Sequence, residues 1–428
     1  MAIELLDFEA ARGTLDDWEK FNRLRNTPYY QDAVYPKFSD AEYQRRYRLT
    51  REKMARLGLD CLVVGGGPTH WSFGAGMLWL SGHWDWHAMA CFVVFPLEGE
   101  PTLVYSAGGA HIEATRRAVA VKDVRSSRMG RFAEVAVERI KELGLESGTI
   151  GLTAVDPVYG DYMPVNQFNT LREGLPQARF EFLGDFFHEF LVVKSPEELD
   201  CVRKAGDLCA RAILAMRDAA RPGVAEYELA AAAAGAMIGG GGQVDFLIIG
   251  STPMGDPHMV FGNPRPSARR LQKGDIIINE IAAAYQGYSA QIGVPICVGQ
   301  PNDRVRRMFD EVVLPGFLAH AQELRPGNTL TALSETARIY RDHGYQSRPL
   351  ILHGLDLVSH RPHVLVNGVR ADEADLVMKP GMTLMLEPNA ISADGLLGMF
   401  FGHTFIITEE GNERVDTRVP LELLVAEA

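Results

Sequence analysis

Two carboxylates in the second half of the chain stand in runs of apolar residues. Glu280 lies in DIIINEIAAAY, and Glu387 lies in MTLMLEPNAI. A charged carboxylate is costly to bury unless something pairs with it. They belong to four segments that set polar side chains inside apolar strands: PMGDPHMVFGNP (253–264), GDIIINEIAAAYQGYSAQIGVPI (274–296), LILHGLDLVSHRPHV (350–364) and GMTLMLEPNAISADGLLGMFFGHTFIIT (381–408). For one such residue alone, a buried ion pair is the simpler reading. Their gathering in one half of the chain points instead to a functional site, because buried ionisable groups collect there.

The elements that must position these residues fall into two groups. Over 1–185, short β-branched runs such as CLVVGGG, ACFVVFPLEG and PTLVYSAGG alternate with helix-like stretches such as RFAEVAVERIKELG. That alternation predicts an α/β domain, preceded by a polar arm and by a helix capped at Ser39-Asp40. Over 186–428, Ser195-Pro196-Glu197-Glu198 opens a long helix, with a capping hydroxyl, a proline in the first turn and acids at the positive end of the dipole. A second helix, AEYELAAAAAGAMI, must stop at the four glycines 239–242. Strand-like runs and the helical patterns 304–323 and 329–344 follow in groups, which predicts an α+β domain.

Composition excludes several classes. The chain has 428 residues, more than one core usually serves. Its net charge of −12 disfavours nucleic-acid binding. No run of roughly 18 apolar residues predicts a membrane span, and the acidic N-terminus does not read as a secretory signal. Five cysteines without metal-type spacing predict reduced thiols and a cytoplasmic protein.

In this order and spacing the four segments resemble the pita-bread fold of methionine aminopeptidases, aminopeptidase P, prolidases and creatinase. The resemblance covers residues ~190–425. It rests on His258 before a turn, Gly274-Asp275, Gly287-Tyr288, His353-Gly354 followed by His360, Lys379-Pro380-Gly381, Glu387-Pro388 and the closing HTFIITEEG. The KSPEE helix after a smaller α/β unit resembles the two-domain members, and this implies a homodimer with the pocket near the subunit interface. Metallopeptidases of the family hold two divalent ions with Asp, Asp, His, Glu and Glu. Carried over one at a time, these positions hold Glu280, Gln291, His353, Glu387 and Gly402.

With two of the carboxylates gone, the expectation is a chain with no metal. The runner-up is one weakly held divalent ion on His353 and Glu387, with Gln291 or His403. Without metal, histidine must move protons, because its pKa lies near working pH. By the resemblance to creatinase, the metal-free member, His258 would shuttle the proton and His353 would hold a carboxylate or oxyanion. His360 is a further catalytic candidate. Glu387 and Glu280 would pair with a cationic part of the substrate, with Gln291 and His403 as further substrate contacts. In the N-terminal domain, Trp84 and Trp86 in HWSFGAGMLWLSGHWDWHAM read as core, or as a lid over an apolar substrate.

The resulting expectation is a metal-independent creatinase-like enzyme that cleaves a small non-peptide molecule by C–N hydrolysis or related lyase chemistry. Two alternatives stand beside it: a metal-dependent Xaa-Pro peptidase-type hydrolase with altered ligands, and an inactive binding module.

Overall fold

The computed structural model describes residues 33–66, 75–84, 91–106, 110–128, 130–153, 163–184, 186–355 and 361–427. The described residues form two compact units that divide between Phe190 and Leu191.

The N-terminal unit is α/β. Its six-stranded sheet is centred on Cys61–Gly66, which pairs antiparallel with Cys91–Pro96 and parallel with Thr149–Leu152. The continuous apolar runs are buried along their length, as strands covered on both faces must be. Helix Asp40–Leu57 begins at Ser39, whose Oγ accepts from the Glu42 N–H at 3.1 Å, and ends at Gly58 with φ +66°. Trp79, in the aromatic segment, is core: it is fully buried and stacked on Phe190 at 5.3 Å. Trp84 is half-buried in this unit, and Trp86 lies outside the described residues.

The C-terminal unit is α+β. Helix Pro196–Ala219 opens with a reciprocal cap. Ser195 Oγ accepts from the Glu198 N–H at 3.3 Å, and Glu198 Oε2 accepts from the Ser195 N–H at 2.7 Å. The same carboxylate, through Oε1, accepts from the Tyr288 hydroxyl at 2.7 Å. One buried Glu therefore ties the helix start to the strand Tyr288–Gly293, which carries Gln291. Glu198→Ala should lower stability by about 2–4 kcal/mol, since a cap and a buried hydroxyl lose their acceptor together. Urea midpoints would show it, and a loss below about 1 kcal/mol would contradict the shared role.

Helix Glu226–Gly239 stops where the glycines begin, with Gly241 at φ +84°. The pattern at 304–323 is one continuous helical run that widens into a π-turn over Phe309–Val313. The pattern at 329–344 resolves into two short helices, Leu330–Thr336 and Arg338–Asp342.

An eleven-stranded mixed sheet is the body of the unit. Its central order runs Leu350–Gly354, Thr383–Leu386, Gly402–Ile407, Tyr288–Gly293 and Asp275–Tyr285, with each neighbouring pair antiparallel. Gln243–Pro253 pairs antiparallel with Asp275–Tyr285 from Ala284 to Asp275, with one bulge.

Candidate active site

Strand register decides which side chains meet, because successive side chains point to opposite faces. Ala282 lies opposite Gln291, so Gln291 shares the face of Glu280. Gly402 lies opposite Gly293, on that same face. Leu386 is opposite His403 and Met385 is opposite Thr404, which puts Glu387, the next residue, level with Gly402. His353 is opposite Met385. Glu280, Gln291, His353 and Glu387 therefore converge on one face of the sheet, and all four are buried.

His353 Nδ1 donates to its neighbour Gly354's carbonyl at 2.8 Å. That fixes the ring and aims Nε2 at Glu387 Oε2, 3.5 Å away. Burial opposes a charge on this ring, but Glu387, the Gly354 carbonyl and Glu280 together outweigh it, and the pKa rises. Glu280 is pushed up to about 8, first by burial and then by the Glu387 carboxylate; His353 and Arg348 pull the other way. Thr404 Oγ1 accepts from the Gln291 N–H and donates to the Gln291 carbonyl, each at 2.8 Å. The backbone of Gln291 is thus pinned while its side-chain oxygen, Oε1, is buried with no hydrogen-bond partner among the described residues.

The other expected site residues fall elsewhere. His403 projects from the opposite face, because it neighbours Gly402 in a strand. It is fully buried, paired through Nδ1 with Asp416 at 2.9 Å and packed by Phe317 and Phe401. This corrects its assignment as a substrate contact: it anchors the sheet to the helix layer behind. His258 is exposed on a loop, with Nδ1 3.4 Å from Thr252 Oγ1 and 3.2 Å from the Asp256 carbonyl. No hydrogen bond or ion pair among the described residues joins it to Glu280, His353 or Glu387. His360 lies outside the described residues.

Three residues that the sequence reading did not weigh line the same region. A Cβ on Gly402 would lie 2.6 Å from Met385 Cε and 3.1 Å from the Phe400 ring, and one on Gly293 would collide with that ring. Phe400 meets Phe261 edge-on at 5.4 Å, and the Arg348 guanidinium sits 3.9 Å from the Phe261 ring centre. Nothing in the sequence pattern singles out Arg348, whereas Phe261 lies in the marked segment 253–264. Phe400 stands beside Gly402, in a segment already marked.

Comparison with known proteins bears on what this cleft does. Residues 200–409 match the model for metallopeptidase family M24. A probable dipeptidase PepE from Mycobacterium tuberculosis is 28% identical over 394 residues, spanning 90% of this chain and 97% of that protein. An Xaa-Pro dipeptidase from Pyrococcus horikoshii is 26% identical over 296 residues, spanning 68% of this chain and 76% of its own length. An X-Pro aminopeptidase structure from Thermotoga maritima superposes with a TM-score of 0.71 at 20% identity, covering 87% of this chain and 99% of that one.

These findings overturn two expectations. Relatives named as dipeptidases contradict a metal-independent enzyme for a non-peptide molecule, and they lend nothing to lyase chemistry. The match to a family of metallopeptidases contradicts a chain without a metal cofactor. The losses of carboxylate are real, but reading them as the loss of all metal went beyond the residues.

The site itself shows how much metal it suits. A pair of divalent ions does not fit. A neutral amide stands at Gln291 in place of a bridging carboxylate, and the space beside Gly402 is filled by Met385 and Phe400. Among the described residues, no three His, Cys, Asp or Glu side chains stand together as a ready ion site. A single ion must therefore use the amide as well, and the unpartnered Gln291 Oε1 is such a donor. The carboxylates of Glu280 and Glu387 and the amide oxygen of Gln291 are donors of the type a hard divalent cation takes, though they do not stand as a ready site among the described residues. Residues 200–409 of the chain therefore carry a domain of metallopeptidase family M24, and the fold is the pita-bread fold seen in X-Pro aminopeptidase and prolidase structures.

Proposed function

We propose that the protein hydrolyses the peptide bond of a dipeptide-type substrate of the Xaa-Pro class, with one divalent ion rather than two. The observation that carries this reading is the shared face of Glu280, Gln291, His353 and Glu387, with an unsatisfied buried oxygen at Gln291. Relatives named as dipeptidases support the substrate class.

Glu280, Glu387 and Gln291 Oε1 would hold the ion, with His353 beside them. When bound, such an ion polarises a carbonyl and lowers the pKa of a water. The rest falls to the protein. Gly354 locks the tautomer and orientation of His353, so that Nε2 carries the exchangeable proton on the Glu387 side. Held toward its protonated form by Glu387, this imidazole can donate to an oxygen that gains negative charge, or to the leaving nitrogen. Leu352, Leu384, Leu386 and Ile292, all buried, pack the sheet on the side opposite this face.

The test is a panel of dipeptides assayed with added manganese or cobalt, after chelation and after ion restoration, with elemental analysis of the active form. Turnover of Xaa-Pro dipeptides, lost on chelation and restored with about one ion per chain, is the expected result. Two tightly held ions per chain, or turnover that survives complete removal of metal, would overturn the single-ion reading. No turnover of any dipeptide would overturn the substrate class.

A further inference from the structure

We propose that Arg348 is the specificity-determining residue that binds the substrate's free carboxylate, against an aromatic wall formed by Phe261 and Phe400. The inference deepens the dipeptidase reading and rests on it.

Arg348 is half-buried, and its guanidinium lies over the Phe261 ring at 3.9 Å. Among the described residues its side chain has no hydrogen bond and no ion pair. Three other arginines of this unit are matched, Arg269 with Asp275, Arg304 with Asp394 and Arg370 with Asp372; what sets Arg348 apart is its place over Phe261 on the side of Glu280. A guanidinium stacked on a ring keeps its planar edge, with its row of N–H donors, open to a ligand.

Its position is set by the same strands that build the site. The Arg348 N–H donates to the Asn389 carbonyl at 3.1 Å. The buried Asn389 side chain donates through Nδ2 to the Val260 carbonyl at 3.0 Å, beside Phe261. Asn389 lies two residues after Glu387, so Arg348, Phe261 and the reactive face are tied through one residue. The Arg348 charge reaches Glu280 electrostatically without pairing with it. The cleft thus has acceptors at one end, a donor fork at the other, and the Phe261–Phe400 wall near the fork. That polarity matches a small zwitterion whose C-terminal residue is a flat apolar ring with a free carboxylate. A charge-assisted fork–fork contact is geometrically specific, so an amide in place of the carboxylate should be rejected.

Isothermal titration with a Gly-Pro analogue whose peptide bond is reduced, compared with its C-terminal amide, tests this without turnover. Wild-type protein should bind the acid at least about tenfold more tightly than the amide. Arg348→Gln should remove that preference by weakening the acid alone, and Arg348→Lys should restore part of it; circular dichroism and melting curves establish that both variants fold. Equal affinity of wild type for acid and amide, binding of neither, or a preference that survives in Arg348→Gln overturns the assignment. An acid preference lost in Arg348→Gln, in a protein that cleaves no dipeptide, would leave the Arg348 subsite standing and remove the dipeptidase reading. Turnover without an acid preference would do the reverse.

Discussion

Glu387→Gln is expected to lower kcat/KM for an Xaa-Pro dipeptide by about 10³-fold, within the range seen when a single acid–base or charge-stabilising group is removed. The substitution keeps shape and volume and deletes only the charge. That charge faces His353 Nε2 at 3.5 Å and lies next to Glu280 and Gln291 on one buried face. Its loss would take away an anionic ion ligand and the partner that holds His353 toward its protonated form. The imidazole can then become neutral, so no stranded charge remains and the melting temperature should shift by only a few degrees. Kinetics, elemental analysis and thermal melting on the same preparation check all three parts. Activity within tenfold of wild type would remove Glu387 from the machinery.

The second large effect is on stability and its pH dependence in the chelated protein. In the fold, Glu280 titrates at about 8 against an ordinary value of 4.5, because burial and Glu387 both disfavour its charged form. Between those values the folded protein keeps a proton that the unfolded chain has released. The contribution of Glu280 is therefore fully present below pH 4.5 and is lost as pH rises through 8. His353 acts with the same sign, since its raised folded pKa means stability that fades as pH climbs through it. The unfolding free energy of the chelated wild type should fall by on the order of 4 kcal/mol between pH 5 and pH 8 on account of Glu280. Glu280→Gln should flatten most of that fall. Urea titrations at several pH values decide it, and parallel curves for the two proteins would show that Glu280 is not held protonated. Adding a divalent ion to the wild type should restore stability preferentially at the alkaline end, because the ion favours the ionised carboxylate.

Much of this cleft is written in local pattern. Ser195, Pro196 and Glu198 specify the helix start because capping is a contact between near neighbours, and the structure forms the reciprocal cap. The four glycines end the second helix for an equally local reason. The polar residues inside apolar strands mark the site, and strand alternation separates Gly402 from His403. By contrast, the paired carboxylate that makes His403 a packing residue comes from Asp416, on a different segment.

The inference about metal shows where such pattern stops. Counting carboxylates shows that Gln291 and Gly402 stand at two of the five positions where the resemblance places ligands. It says nothing of an amide oxygen left without a partner, which appears only when the Gln291 backbone is fixed by Thr404, more than a hundred residues away.

The amino-acid sequence alone determined the two-unit organisation, the caps, the strands and the identity of the residues that replace the family's metal ligands. These depend on contacts between near neighbours and on alternation along a strand. Tertiary structure alone decided that Glu280, Gln291, His353 and Glu387 share a face, that Phe400 and Met385 fill the space beside Gly402, and that Arg348 lies over Phe261. Those outcomes turn on register between strands remote in the chain and on the exclusion of water from the space they enclose.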